Sequence, residues 1–274
     1  MRDLAVLSAV SAPAATLPEQ GSCWVTNDAQ TADAVEALIE AAHRFFTGDA
    51  ATRNAAAAGT TMTGWRKAGI EYSQSPDRPD LNETFCYRRH DDNGSLFEHP
   101  LLERAREAQV RLDLIAADAL EALATRIGVR DRPAVRTMNE SWLQLNFSRP
   151  ATAAREFIQD AHEDGHLLTF LVADARGLEV KDPKKGWVAV LPSPERMICF
   201  AGECGSLLTG DLVSPTQHRV RAHTNVPVRL SVAYFVNPDL DQELPPWVSM
   251  VRSEGVDLLR WGQQNPARFG LPTL

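Results

Sequence analysis

The residues of this chain that could do chemistry lie in its second half. His162-Glu163-Asp164 places an imidazole and a carboxylate two residues apart. On an extended strand, such residues point to the same face, so both can meet one ion. A third ligand must come from elsewhere, and His218 is the natural candidate. Two imidazoles and one carboxylate on one face of an octahedron leave the remaining positions open. That suits non-haem Fe(II), which must accept dioxygen and a second ligand. A closed zinc site would take more protein ligands, commonly thiolates. Beyond His218 come Arg229 and Ser231, again sharing a strand face. A guanidinium fork with a hydroxyl beside it suits a bidentate carboxylate. A metal triad and a carboxylate anchor in one sheet imply a small dicarboxylate bridging the two.

The order His162-x-Asp164, then His218-Arg219-Val220, then Arg229-x-Ser231 resembles the iron(II)- and 2-oxoglutarate-dependent dioxygenases. Within them it resembles the isopenicillin N synthase-like branch. Gly177-Leu178-Glu179-Val180, Gly186-Trp187-Val188-Ala189-Val190 and Leu207-Leu208-Thr209-Gly210-Asp211 fall where that family has similar segments. Upstream, Ser22-Cys23-Trp24-Val25-Thr26-Asn27 and a helix ending in Arg44-Phe45-Phe46 resemble its amino-terminal region.

The resemblance implies Fe(II) on His162, Asp164 and His218, and 2-oxoglutarate with its far carboxylate on Arg229 and Ser231. Dioxygen is the remaining co-substrate. Asn146 matches the first residue of an Asn-x-Tyr pattern that helps hold 2-oxoglutarate, but Ser148 stands where the family has Tyr. Asp164 favours hydroxylation or another oxidation over halogenation, because related halogenases lack that carboxylate. Residues 59 to 97 correspond to a region of substrate contacts in the family. Arg66, Tyr72 and Arg88, with Phe235, are candidates to line a pocket for a polar or anionic small molecule. His166, two beyond Asp164, is a pocket residue or a partner that orients a ligand. Relatives of this branch often modify specialised metabolites, antibiotics among them. Two other readings stay open. One is an iron oxidase of the same fold that closes rings or desaturates without 2-oxoglutarate. The other is a metal-poor β-sandwich that only binds small molecules.

The composition narrows the partners. A formal charge of −8 and a pI near 5.4 argue against nucleic acid or an anionic membrane surface. No run of eighteen apolar residues offers a membrane span. The start, Met1 to Ala15, lacks the charged head and long apolar core of a signal peptide, so a cytoplasmic location is expected. Cys23, Cys86, Cys199 and Cys204 form no C-x-x-C pair and read as buried reduced thiols. The expected assembly is a monomer or a weak homo-oligomer acting on a small molecule.

The elements that must position these groups follow from periodicity. The fold class expected is α+β, mainly β: a double-stranded β-helix (jelly roll) core with an amino-terminal helical region packed against it. A single domain is expected. It comprises a supporting region over 1–130, the catalytic core over 140–238, and a helix and tail over 239–274. Residues 4 to 8 and 22 to 26 read as strands with a proline-bearing loop between them. Val35, Leu38, Ile39, Ala42 and Phe46 follow helical spacing over Thr31 to Phe46, with Asp28 or Thr31 as cap. An Ala-rich helix is expected over 50 to 57. Loop dominates 59 to 97, with Glu83 to Arg88 as a strand. Pro100 to Ile127 carries the stripe Leu112, Ala116, Ala119, Leu123 and Ile127, and Gly128 ends it. From residue 141 onward short alternating runs predict strands. One last helix is expected around Val248 to Gly262, followed by a coil that covers the barrel mouth. His43, His90 and His99 have no constellation around them, and His223 reads as a surface residue at a strand end.

Overall fold

A computed structural model describes residues 12–59, 63–91, 98–129, 140–150, 155–193, 195–223, 225–238, 244–248 and 257–264. Its strands are β1 (Ser22–Thr26), β2 (Gly64–Arg66), β3 (Asn82–Arg88), β4 (Trp142–Ser148), β5 (Phe157–His162) and β6 (Leu168–Ala173). They continue with β7 (Leu178–Asp182), β8 (Gly186–Ala189), β9 (Arg196–Ala201), β10 (His218–Arg221) and β11 (Arg229–Val236). They pair antiparallel into a large sheet of order β1-β9-β6-β11-β4-β3-β2 and a small sheet of order β5-β10-β7-β8. The two sheets stack as a mainly β jelly roll. Strands from the amino-terminal region, β1 to β3, extend the large sheet on both sides of the core strands.

Alternation along each strand divides the two faces of the large sheet. Leu143, Leu145 and Phe147 of β4, with Leu230, Val232, Tyr234 and Val236 of β11, belong to one apolar core. Helices α2 (Ala29–Thr47) and α4 (Pro100–Ile127) close that core through Val35, Leu38, Phe45, Phe46, Leu112, Leu120 and Leu123. Burying a Leu or Phe side chain contributes about 1.5–3 kcal/mol, so this layer is the main source of stability. A smaller apolar cluster, including Ile158, Leu171, Leu178, Val180, Ile198 and Phe200, fills part of the space between the sheets. The remainder of that space is lined by polar side chains, and there the site lies.

The long helix α4 follows its signals closely. Pro100 sits in the first turn, where its missing N–H removes no helical bond. His99 Nδ1 accepts from the Leu101 backbone N–H at 3.1 Å. Gly128 stops the helix with φ 77°, a left-handed conformation that a side chain disfavours. At 1.5 Å per residue the helix runs about 42 Å, enough to back the whole sheet. Helix α2 is capped by Asp28, whose carboxylate accepts from the Thr31 N–H at 2.7 Å. The Ala-rich helix, α3, is shorter than expected, Ala50–Ala55.

Several expectations need correction. The proline-bearing stretch before β1 is helical, a 3-10 turn over Ala12–Thr16 followed by α1 (Leu17–Gln20), with Pro18 in the first turn where it is tolerated. The expected loop from 59 to 97 contains β2, so Trp65 and Arg66 belong to the sheet. A helix, α5 (Glu203–Thr209), interrupts the strand-rich half. The last described helix is α6 (Leu258–Gln264); Val248 is not helical. The expected strand over 4 to 8, and the coil expected beyond the last helix, lie outside the described residues. His99 caps α4, His43 Nε2 lies 2.6 Å from Asp174 Oδ2, and half-buried His223 meets the Ser148 hydroxyl at 3.1 Å. All four cysteines are buried and free.

Candidate functional site

His162 ends β5 and His218 begins β10, and the two are direct partners across the β5–β10 ladder. Their ring centroids lie 4.2 Å apart. Asp164 does not share the strand with His162: β5 stops at His162, and Asp164 stands in the loop beyond it. The loop nevertheless brings its carboxylate to both imidazoles. Asp164 Oδ1 is 3.7 Å from His162 Nε2 and 3.6 Å from His218 Nε2. One donor atom from each of the three residues falls within 4.8 Å of the others.

Neighbouring groups fix which atoms face that point. His162 Nδ1–H donates to the Asp160 carbonyl at 2.7 Å, and His218 Nδ1–H donates to the Thr216 carbonyl at 3.3 Å. In the neutral form of each ring this leaves the lone pair on Nε2, the metal-binding tautomer. Thr169 Oγ1 donates to Asp164 Oδ2 at 2.6 Å, which leaves Oδ1 for an ion. Asp160 is itself buried and held by Arg78 and Arg155, so the carbonyl that orients His162 is anchored. Burial alone would raise the Asp164 carboxyl, but His218, His162 and the Thr169 hydroxyl outweigh it and hold the group ionised. Burial pushes the His218 imidazole down to about 4, so it stays neutral and available as a ligand.

His166 shows the same burial. It is 3% exposed, packs edge-on against Trp142 and over Phe235, and donates from Nδ1 to Asn237 Oδ1 at 3.1 Å. Its pKa also falls to about 4, chiefly through burial. Unfolded histidine takes up a proton below about pH 6.5, whereas these two resist until about pH 4. Stability is complete above the unfolded value and is lost as pH falls through this window, by roughly 3 kcal/mol for each group. The metal-free protein is therefore expected to lose melting temperature steeply between these limits. His166→Gln should flatten that acid slope, and an unaltered slope would show that His166 is not held neutral.

The co-substrate candidates lie on the inner face of the large sheet. Arg229 is 2% exposed, and only Nη1 finds a partner, the Ser231 hydroxyl at 3.2 Å. Its Nε and Nη2 are buried with no hydrogen-bond partner among the described residues. Asp174, the nearby carboxylate, is taken by the Leu230 N–H and His43. Burial lowers the Arg229 guanidinium to about 10, against the pull of Asp174. A buried cation with two unmet donors is costly unless a ligand supplies the anion. Asn146 stands directly across from Ser231, mid-strand in β4. Its Oδ1 accepts from Gln144 and Asn82, and Ser148, two pairs further along, faces Arg229.

The substrate candidates divide. Phe235, Trp142 and Arg88 form one cross-strand row that begins at Thr169, the partner of Asp164. Arg66 lies four pairs along on the same inner face, opposite Thr84 and 3.7 Å from Glu71. Glu71 accepts in turn from Thr84 and Gln144, giving a polar wall. Tyr72 does not join it, being 36% exposed on the loop. The sequence reading missed Trp142, Gln144 and Thr169. Register reveals them: each strand residue either pairs with, or lies two away from, a residue already singled out.

The model of the 2OG-Fe(II) oxygenase superfamily matches residues 139–238, which contain the triad, Arg229, Ser231 and β4 to β11. This segment belongs to that superfamily. The chain is 34% identical over 92 residues to gibberellin 3-beta-dioxygenase 1 of Arabidopsis thaliana, covering 33% of this chain and 25% of that protein. A UPF0676 protein of Schizosaccharomyces pombe is 29% identical over 127 residues, 43% of this chain and 40% of that protein. The matches thus span less than half of these relatives. In fold, the chain is similar to JOX2 in complex with 2OG, Fe and JA, with a TM-score of 0.79, 18% identity, and 98% and 85% of the two chains covered. It is also similar to a full-length Neurospora crassa protein in complex with alpha-KG, with a TM-score of 0.75, 19% identity, and 97% and 92% covered. The superfamily's cofactors are iron(II) and 2-oxoglutarate, and the oxygenase domain fits both: three convergent donors for the ion, and the unmet Arg229 donors for a carboxylate.

Proposed function

We propose that the protein is an Fe(II)- and 2-oxoglutarate-dependent dioxygenase that hydroxylates a small molecule of specialised metabolism in the cytoplasm, acting as a monomer or weak homo-oligomer. The observation that carries this reading is the pairing of two incomplete sites in one barrel. One is an oriented His162–Asp164–His218 donor set; the other is a buried guanidinium lacking an anion.

His162, Asp164 and His218 would hold iron, and Arg229 with Ser231 would hold the far carboxylate of 2-oxoglutarate. Together these groups supply the oxidation of a substrate C–H bond by dioxygen, with 2-oxoglutarate leaving as succinate and carbon dioxide. The chain's own part is placement. Asp160 and Thr216 carbonyls keep both imidazole lone pairs turned inward. Thr169 holds the carboxylate so that one oxygen remains available. Each charge-assisted hydrogen bond at Arg229 contributes about 1.5–3 kcal/mol once a carboxylate is present. Phe200, Phe235 and Trp142 border the site with apolar surface that excludes water.

The test is succinate release from 2-oxoglutarate, measured with Fe(II) across a panel of amino acids, peptides, sugars and natural-product scaffolds. Substrate oxidised without succinate would instead support the oxidase reading, in which ring closure or desaturation proceeds without 2-oxoglutarate. A purified protein that binds no iron would refute both.

A further inference from the structure

Buried donors without partners recur at a second place on the same sheet face. Arg88 and Trp142 are direct partners across the β3–β4 ladder, on the inner face. Trp142 is 2% exposed, and its indole Nε1 is buried without a hydrogen-bond partner among the described residues. The half-buried Arg88 ion-pairs through Nη2 with Glu140, while its Nε is buried and has no partner. Buried donors are ordinarily satisfied, and each unmet one costs about 1–3 kcal/mol. Two neighbouring unmet donors, one on a cation, match the two oxygens of a carboxylate.

Their position ties this pair to the metal site. Thr169, which holds Asp164, pairs with Phe235, Phe235 with Trp142, and Trp142 with Arg88. Adjacent strands lie about 4.8 Å apart, so Trp142 stands roughly 10 Å from Thr169 along the row. Phe235 lies between them, half-buried, and supplies an aromatic surface.

We propose that Arg88 and Trp142 receive the carboxylate of the primary substrate, which makes that substrate a small carboxylic acid with an apolar body lying on Phe235. This inference rests on the dioxygenase reading and deepens it. Arg229 and Arg88 thereby divide two acids between them, the co-substrate at one end of the inner face and the substrate at the other. An ion pair serving stability alone would need only the Arg88–Glu140 contact, and would leave both unmet donors unexplained.

The test compares monocarboxylic acids with their primary amides and methyl esters. Succinate formation is measured with the Fe(II)- and 2-oxoglutarate-loaded protein. Binding is measured as the thermal shift each compound gives the Mn(II)- and 2-oxoglutarate-loaded protein. The wild type is expected to favour the best acid over its own amide at least about 10-fold in kcat/KM. Trp142→Phe keeps the ring and removes the N–H; Arg88→Gln removes the charge. Each should cut the acid-to-amide ratio about 10-fold, with the matching thermal shifts reduced. The ratio is internal, so a smaller folded fraction does not change it. Succinate formation that prefers amides or esters, or an acid preference untouched in both variants, would overturn the proposal while leaving the dioxygenase reading standing. Absence of succinate with every compound would overturn both.

Discussion

An Arg229→Leu variant is expected to be a more stable protein and a failed enzyme. In the free chain the guanidinium is desolvated, with Nε and Nη2 unmet, and its pKa is depressed to about 10. A depressed arginine pKa means that folding carries a penalty wherever the group is charged, which includes neutral pH. From an ordinary value near 12.5, the shift corresponds to about 3 kcal/mol. Leucine removes the charge and fills much of the same volume, so the apo melting temperature should rise, by about 2–4 °C per kcal/mol recovered. Loss of the anchor acts in the opposite direction on binding. Truncating one partner of a buried charged pair costs about 2–5 kcal/mol, so the 2-oxoglutarate concentration for half-maximal succinate formation should rise by roughly 30-fold or more. Melting curves with and without 2-oxoglutarate separate the two effects. A variant that melts lower than wild type yet keeps its 2-oxoglutarate affinity would remove Arg229 from the anchor role.

The pattern of what the sequence revealed follows from the same physics. Helices α2 and α4 were legible because one face of each repeats apolar residues and their ends carry local caps, Asp28, Pro100 and Gly128. The donor triad was legible because its residue types are rare together. Strand alternation accounts for only half of its geometry, since Asp164 sits past the strand end, where loop backbone takes over. Helix α5 was missed because its few residues, Glu203–Thr209, have no room to show a 3.6-residue period. Strand β2 was missed for a similar reason: three residues between glycine-bearing loops offer no alternation to count. Trp142 and Gln144 were invisible as site residues because their roles depend on register across strands far apart in sequence. Pairing β3 with β4 decides that Arg88 meets Trp142, and nothing local to either residue encodes it.

His218→Ala should abolish stoichiometric iron binding, and a backbone change remote from the donor atoms should go part of the way. With His218 removed, two donors remain, and the stabilisation that a bound metal gives the folded state disappears. At a hundredfold excess of metal over its Kd that stabilisation is about 2.7 kcal/mol, visible as a melting shift in the wild type and absent in the variant. An iron-replete, active His218→Ala protein would refute the triad. Gly202→Ala probes the same ion through the Asp164 loop. A Cβ at Gly202 would stand 2.3 Å from the His166 carbonyl oxygen and 2.6 Å from that of Asp164. Both obstacles are backbone, which cannot rotate aside. The first turn of α5 also grips this loop, with Glu203 N–H donating to the Asp164 carbonyl at 2.8 Å and Cys204 N–H to that of Gly165 at 3.2 Å. Alanine must therefore displace the segment that carries the carboxylate ligand. Displacing the support of a ligand typically costs 10–100-fold in metal affinity, so the Mn(II) Kd of the folded Gly202→Ala protein should rise by about that factor. Titration at a temperature where circular dichroism shows the native fold distinguishes this from simple destabilisation, which would lower the melting temperature and leave the Kd where it was.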